Sequence, residues 1–598
     1  MDKTDRQSFY LSNESSTLFC WMHKPQQDIK QRDCAVVICS PLGYEYILSH
    51  RSVRHLADYL ANDGFQTIRF DYAGTGDSSG DDFDPNRLDT WKSNIKAVIA
   101  HAKMATGCSK ICLIGIRMGA LLSALITSEG GTPPANELGV SHLVLWNPCV
   151  QGQHYVREMK ALALAFDPIS TETNPKIESA GFILSAETAR QINNLNMENM
   201  PPPHETAVLL IDRDDRPQCA NLLEKWTKDF FHIDYLVQSG HLEMFAEPHN
   251  TVVPVHTLCA ISEWLTKNTQ EATRAQVRAK DFLPLQKINE QVAISEHLCR
   301  FGARGQLFGI LTTPISKTDC VMPTILLLNA GSVHHVGPQR LYVVLARALA
   351  VQGFPSFRID FEGIGDSDLQ NVSNENHPYQ ASALQDTESA LCFLSEQFHA
   401  VKFVLTGICS GAYTAFRFGL GTTPYKIVDT LLINPLTFYW EQGMSLSMDS
   451  LKLKAIRKLS HYRESVYNRK QWTKLLKGEI SRKATANIVL TQMKLFVKSY
   501  TKNLMEKVYP QTDSQLSADI KNYFSVGRHL SLFFSKTDPG LDIIKADARK
   551  ILKKGINEKK IILQMFQDAD HTFSRSQKRD ELIGRVGKHL TALTKIAS

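Results

Sequence analysis

The sequence predicts an α/β protein made of two doubly wound domains in tandem, each built on a mostly parallel sheet. Three observations lead there. The chain has 598 residues, more than one hydrophobic core usually supports, since cores stop growing near about 250–300 residues. Its two halves repeat one another. Within each half, apolar runs of strand length alternate with helix-length patterns, the signature of βαβ units. Hydrophobic residues make up 43% and charged residues 21%, which excludes a disordered or coiled-coil chain.

The repeat is explicit. Arg69-Phe-Asp71-Tyr-Ala-Gly74-Thr-Gly76-Asp77-Ser78 returns as Arg358-Ile-Asp360-Phe-Glu-Gly363-Ile-Gly365-Asp366-Ser367, a period of about 290 residues that changes the whole domain reading. An apolar helix precedes each copy, around His55 to Phe65 and Leu345 to Phe354. After each comes a strand, a tight turn and another helix, at Ile111 to Ala120 and Phe403 to Ala412. Both halves continue with a strand ending in Asn-Pro, at Leu143 to Pro148 and Leu431 to Pro435, then an insert and a further strand, Ala207 to Ile211 or Leu530 to Phe534. The charged stretch Gln270 to Leu285 is the expected boundary, giving domains 1–272 and 283–598.

The inserts cover residues 149–206 and 436–529. The second is rich in Lys, Arg, Leu, Tyr and Trp, with helical spacing in Leu451 to Tyr462 and Ile488 to Met505. It is expected to be a helical cap over the C-terminal edge of the sheet, where open parallel sheets place their ligands.

Gly407-Ile408-Cys409-Ser410-Gly411 follows a strand, Lys402 to Leu405, and opens a helix. A strained turn of this pattern presents a nucleophile, and only small residues fit two positions to either side. The central Cys409 makes the expected nucleophile a thiolate, favoured by its place at a helix N-terminus. The order nucleophile, acid, histidine then selects His571 as general base and Asp538 as its orienting acid, with Asp542 the weaker choice. The backbone amides of Ser410 and of Ser332, in the loop after the strand Thr324 to Leu328, are the expected oxyanion donors. His334 and His335 in that loop either contact substrate or are exposed loop histidines.

In the first half the turn reads Gly115-Ile116-Arg117-Met118-Gly119, and arginine stays cationic and cannot act as a nucleophile. Asp214 or Asp215 and His241 occupy the acid and base positions of this degenerate site. Arg117 is then either a clamp for a substrate carboxylate or phosphate, or a structural plug paired to Asp214 or Asp215; the plug is preferred.

These segments, with Gly407 to Tyr413 and Ile433 to Pro435, resemble the α/β-hydrolases of the serine-aminopeptidase-like superfamily, especially hydrolases associated with exosortase and polysaccharide gene clusters. The resemblance covers nearly the whole chain. It implies an acyl-hydrolysing or acyl-transferring enzyme, thioesterase or acyltransferase in class, in a biosynthetic pathway, and leaves substrate open because the superfamily hosts several chemistries. The Arg at the first elbow and the Cys at the second depart from its pattern.

The implied substrate is an acyl ester or thioester, carried on coenzyme A or an acyl carrier protein; Lys452, Lys454, Arg457, Lys458, Lys474 and Lys477 suit such a partner, and a solvated helix face explains them equally. The alternative is a non-catalytic scaffold or carrier-binding module. No cofactor or metal is expected, for no HExxH, paired cysteines, Walker or dinucleotide pattern occurs. With 67 Lys and Arg against 61 Asp and Glu, a net charge of +6, nucleic acid is not an expected partner. Mean hydropathy is −0.20 and no run reaches the roughly 20 residues of a membrane span. Met1 to Tyr10 has no apolar h-region, and the twelve scattered cysteines read as reduced, so a cytosolic chain is expected. Fusion of two copies also predicts an internal pseudo-dimer.

Overall fold

The computed structural model of the chain describes residues 5–13, 16–128, 137–166, 176–201, 205–229, 233–272, 287–289, 294–315, 322–369, 375–441 and 514–597. Most of the insert expected to be a helical cap, 442–513, and most of the boundary stretch, 273–286, lie outside them.

The first half forms one eight-stranded sheet. Its strands are β1 (Asp5–Asn13), β2 (Ser16–Lys24), β3 (Cys34–Cys39), β4 (Thr67–Phe70), β5 (Lys110–Ile116), β6 (Val140–Trp146), β9 (Ala207–Arg213) and β10 (Ile233–Gln238), in the order β1-β2-β4-β3-β5-β6-β9-β10. A separate hairpin, β7 (Ile177–Ser179) and β8 (Phe182–Leu184), belongs to the insert. The second half repeats the plan with β11 (Lys287–Asn289), β12 (Ile294–Phe301), β13 (Leu307–Pro314), β14 (Thr324–Leu328), β15 (Ser356–Asp360), β16 (Lys402–Ile408), β17 (Lys426–Ile433), β18 (Leu530–Ser535) and β19 (Ile561–Phe566). Its order is β11-β12-β13-β15-β14-β16-β17-β18-β19.

The central strands pair in parallel and are buried on both faces, which is why β3 reads Cys-Ala-Val-Val-Ile-Cys and β14 Thr-Ile-Leu-Leu-Leu without polar alternation. The expected doubly wound pair of sheets is therefore present. Each sheet also carries antiparallel strands at one edge, β1 and β2 or β11 to β13. Sequence reading missed them because the repeat is faint there.

The repeated ten-residue segment sits just after β4 and β15, and its residues have local and long-range work. Asp71 Oδ2 accepts the Asp77 amide at 2.9 Å, as Asp360 Oδ2 accepts that of Asp366 at 2.9 Å. Ser78 Oγ accepts the Phe19 amide at 2.9 Å and donates to the Asp71 carbonyl; Ser367 does the same for Phe308 and Asp360. The arginines reach out of their own half. Arg69 pairs with Asp366 and Arg358 with Asp77, all four buried. Beside them Phe19 and Trp21 of β2 pack on Phe308 of β13, so one apolar cluster is shared by both halves. Arg54 and Arg340 each donate to carbonyls of the opposite loop, Gly365 and Ser367 or Gly76, Ser78 and Gly80. Among the described residues no helix is long and apolar enough to cross a membrane.

Candidate active site

Cys409 joins β16 to the helix Ser410–Leu420 at φ 58° and ψ −117°, a conformation an L-residue enters at a cost. The neighbouring glycines make the turn possible. A Cβ on Gly411 would stand 2.4 Å from the Leu328 carbonyl oxygen, and one on Gly407 would stand 2.6 Å from the backbone of Gly411. The Tyr342 hydroxyl ties the end of β14 to the elbow, donating to the Leu328 carbonyl at 2.9 Å and accepting the Ile408 amide at 3.0 Å. The Cys409 side chain is partly exposed.

Asp538 follows β18 and caps the helix Pro539–Asp547, its Oδ1 accepting the Gly540 amide at 2.9 Å. The other oxygen is 2.6 Å from Nδ1 of His571, in the loop after β19. Asp542 lies one helical turn further on; the carboxylate on His571 is that of Asp538. The Nε2 face of His571 is buried. Burial opposes charge on this imidazole, yet the Cys409 sulfur and the Asp538 carboxylate outweigh it and hold its pKa well above the ordinary value. The Cys409 sulfur thus acts on the imidazole both as a charge and as a side-chain hydrogen-bonding partner.

The Asn-Pro signal, which carried no role in the sequence reading, acts here. Asn434 takes a left-handed conformation, φ 43°, and its Nδ2 donates to the His571 carbonyl at 2.8 Å and to Ser535 Oγ at 2.9 Å. Ser535 in turn donates to the Asp570 carbonyl. The loop bearing the imidazole is fixed by this chain of bonds.

Ser410 Oγ accepts the Gly331 amide at 2.8 Å and donates to the Asn329 carbonyl at 3.3 Å, drawing the loop after β14 against the elbow. The amide N–H groups of Ser410 and Ser332 have no acceptor in hydrogen-bond geometry among the described residues, as the first amides of a helix and of a turn permit. One turn along the helix from Cys409, Tyr413 packs edge-on to Tyr379 at 5.2 Å, and Tyr379 stacks on Trp440 at 4.2 Å. Sequence reasoning missed this aromatic group; its one signal was Tyr413, four residues beyond Cys409 on the same helix face.

The first elbow has the same backbone, with Arg117 at φ 53°, but not the pairing expected for it. Arg117 Nε donates to Glu45 Oε1 at 2.9 Å and Nη2 to Glu158 Oε2 at 2.6 Å. Asp214 is exposed, and Asp215 is held by Arg213. The plug therefore exists with other partners: the glutamates come from the helices Tyr44–Asn62 and Gly152–Phe166, which converge over the elbow. With two carboxylates on one guanidinium, an anion clamp is not the arrangement found. His241 meets the Asn147 side chain through Nδ1 rather than a carboxylate. Burial, Arg213 and Arg117 lower its pKa to about 3, so it is neutral.

His334 and His335, expected at substrate or in solvent, are 3% and 1% exposed and face the other half. His335 bridges Asp360, in its own half, and Asp77 at 2.7 Å each.

Residues 35–197 match the family model described as serine aminopeptidase, S33. No curated protein sequence matches the chain. Solved structures similar to part of it include Est1E from Butyrivibrio proteoclasticus with ferulic acid bound, 19% identical over 44% of this chain and 97% of its own, TM-score 0.34. Proline iminopeptidase from Mycobacterium smegmatis is 12% identical over 44% of this chain and 98% of its own, TM-score 0.32. The Pyrococcus furiosus esterase Pf2001 is 15% identical over 44% and 91%, TM-score 0.31. The chain is an α/β-hydrolase by fold. The family match falls on the half whose elbow holds Arg117, while the thiol elbow lies in the other half.

Proposed function

We propose that the second half is an acyl-hydrolysing or acyl-transferring enzyme working through Cys409, His571 and Asp538. The observation that carries this reading is Cys409 at a strained helix N-terminus beside an imidazole whose far nitrogen is 2.6 Å from a buried carboxylate. The thiolate attacks an acyl carbonyl, and the oxygen that becomes negative is met by the amides of Ser410 and Ser332. His571 gives its Nε2 proton to the leaving thiolate or alkoxide as the tetrahedral adduct collapses to an enzyme thioester. It then takes a proton from the attacking water, hydroxyl or amine, and the thiolate leaves. Asp538 keeps the Nδ1 proton in place throughout.

The acyl donor on this reading is a thioester of coenzyme A or of a carrier protein, in a biosynthetic pathway. The first half, residues 1–272, is a non-catalytic copy, and it forms an internal pseudo-dimer with residues 283–598. The reciprocal Arg69–Asp366 and Arg358–Asp77 pairs support that arrangement.

The test is intact-mass spectrometry of acid-quenched protein after mixing with acyl thioesters of N-acetylcysteamine. One acyl group on the wild type, mapped to Cys409 and absent from Cys409→Ala, is expected. A wild type that takes no acyl group across chain lengths while binding a carrier protein would favour the scaffold reading.

A further inference from the structure

The loop that would supply the second oxyanion amide, residues 329–337, is held from both halves of the chain. Its residues are engaged one after another. Ser332 Oγ donates to the Asn376 carbonyl at 2.8 Å, and the Asn376 side chain donates across to the Pro248 carbonyl at 2.9 Å. Val333 and Val336 are buried against Tyr46 and Ile47 of the first half. The His334 ring stacks on His50 at 3.9 Å and 14°. The Tyr46 hydroxyl is 3.4 Å from His334 Nε2. His335 is bound by its own half through Asp360, which accepts its backbone amide at 2.6 Å and meets its Nδ1 at 2.7 Å, and by the other half through Asp77 at Nε2.

We propose that the first half is the clamp that sets the oxyanion loop of the second, and that Asp77 is a positioning residue for acyl transfer at Cys409 although it belongs to the other half. This rests on the acyl-transfer reading above. The argument is geometric. Ser332 stands three residues from His335, too short a span for slack, and both residues are anchored to groups that the first half supplies or braces. Without Asp77 the His335 ring keeps Asp360 but loses its tie to the first half, which loosens the loop that carries the Ser332 amide, and an oxyanion donor acts only when its N–H is preset at hydrogen-bond distance from the developing charge. Misplacement by about 1 Å is enough to cost of order 10²-fold. The thiol itself is untouched, because the elbow is fixed by Gly411, Tyr342 and β17, all in the second half.

Two reactions of the same sulfur separate these contributions. Alkylation by iodoacetamide needs the nucleophile and no oxyanion donor; acylation by an acyl thioester needs both. In the full-length chain, Asp77→Ala is expected to slow acylation of Cys409 about 10²-fold while alkylation stays within about twofold. Asp77→Asn keeps the volume and one acceptor, so it should fall between Asp77→Ala and wild type, and it decides the matter if the alanine variant does not fold. Arg6→Ala, which removes a different contact between halves, the Arg6–Asp368 pair, should acylate like wild type. Wild-type acylation by Asp77→Asn, or equal loss of acylation and alkylation, would overturn the clamp while leaving the acyl reading intact. A wild type that alkylates yet never acylates would overturn the acyl reading, and the clamp with it.

Discussion

At the residue scale, His571 decides more than any other side chain. Its pKa is governed by two opposing influences, burial on one side and the Cys409 sulfur with the Asp538 carboxylate on the other, and the second prevails. His571→Ala removes both the proton carrier and the partner charge of the sulfur, so acylation should slow by roughly 10²–10⁴-fold, read by stopped-flow release of a chromogenic thiol. An unchanged rate would remove His571 from the reaction. Asp538→Asn leaves the ring in place, but an amide that turns its NH₂ toward Nδ1 favours the tautomer protonated on Nε2, so a loss of comparable size, up to about 10⁴-fold, is expected there. Proximity of these three residues was legible beforehand because strand order in a doubly wound sheet brings the loops after β16, β18 and β19 to one edge. The partners of Arg117 were not. Glu45 and Glu158 lie on helices rather than in the acid loop, and neither sits at a position where a chain-order argument looks for a carboxylate.

At the element scale, the elbow between β16 and the helix Ser410–Leu420 leaves no room for a larger residue at Gly411. Gly411→Ala would drive a methyl carbon into the carbonyl oxygens of Leu328 and Asn329, 2.4 and 2.8 Å away. Backbone atoms of a central strand have little room to yield. The variant should lose roughly 1–3 kcal/mol of stability, as overpacked interiors do, and lose acylation as well; denaturant midpoints and adduct yield test the two separately. Retained stability with full activity would show that β14 can shift. The glycines were legible in the sequence from their spacing alone. The edge hairpins were not, since β1 and β2 alternate apolar and polar residues only partly and the repeat fades there. The role of Asn434 was hidden for another reason: a left-handed asparagine is visible as Asn-Pro, but its two hydrogen-bond partners lie over a hundred residues downstream.

At the scale of the whole molecule, the two halves meet through buried charge, and that gives their union a pH dependence. Burial disfavours the imidazolium of His335, but Asp360 and Asp77 raise its pKa to about 10. A raised folded-state pKa means the folded chain holds a proton that the unfolded chain releases near pH 6.5. The stabilisation is complete below that pH and drains away as pH climbs toward 10. Wild type should therefore lose stability relative to His335→Gln across pH 6.5–9.5, at up to about 1.4 kcal/mol per pH unit, measured by urea unfolding at stepped pH. Parallel curves for the two proteins would show that the imidazole is neutral. The repeated segment that revealed the duplication turned out to be the meeting surface of the copies. Comparison of a chain with itself finds equivalent positions, and it carries no sign that a residue in one copy has its partner in the other.

The crossed arginines have a final consequence for anyone who would take the protein apart. Arg69 finds its counter-ion in the opposite copy, and Arg358 divides itself between Glu296 of its own half and Asp77 of the other, so a gene cut at the boundary strips Arg69, Asp366 and Asp77 of these partners on a formerly dry surface. Water can solvate those charges once the surface opens, but the cut also uncovers Phe19 and Trp21 on one fragment and Phe308 on the other. Neither fragment should survive alone as a well-behaved monomer, and co-expression rather than separate purification is the way to reunite them.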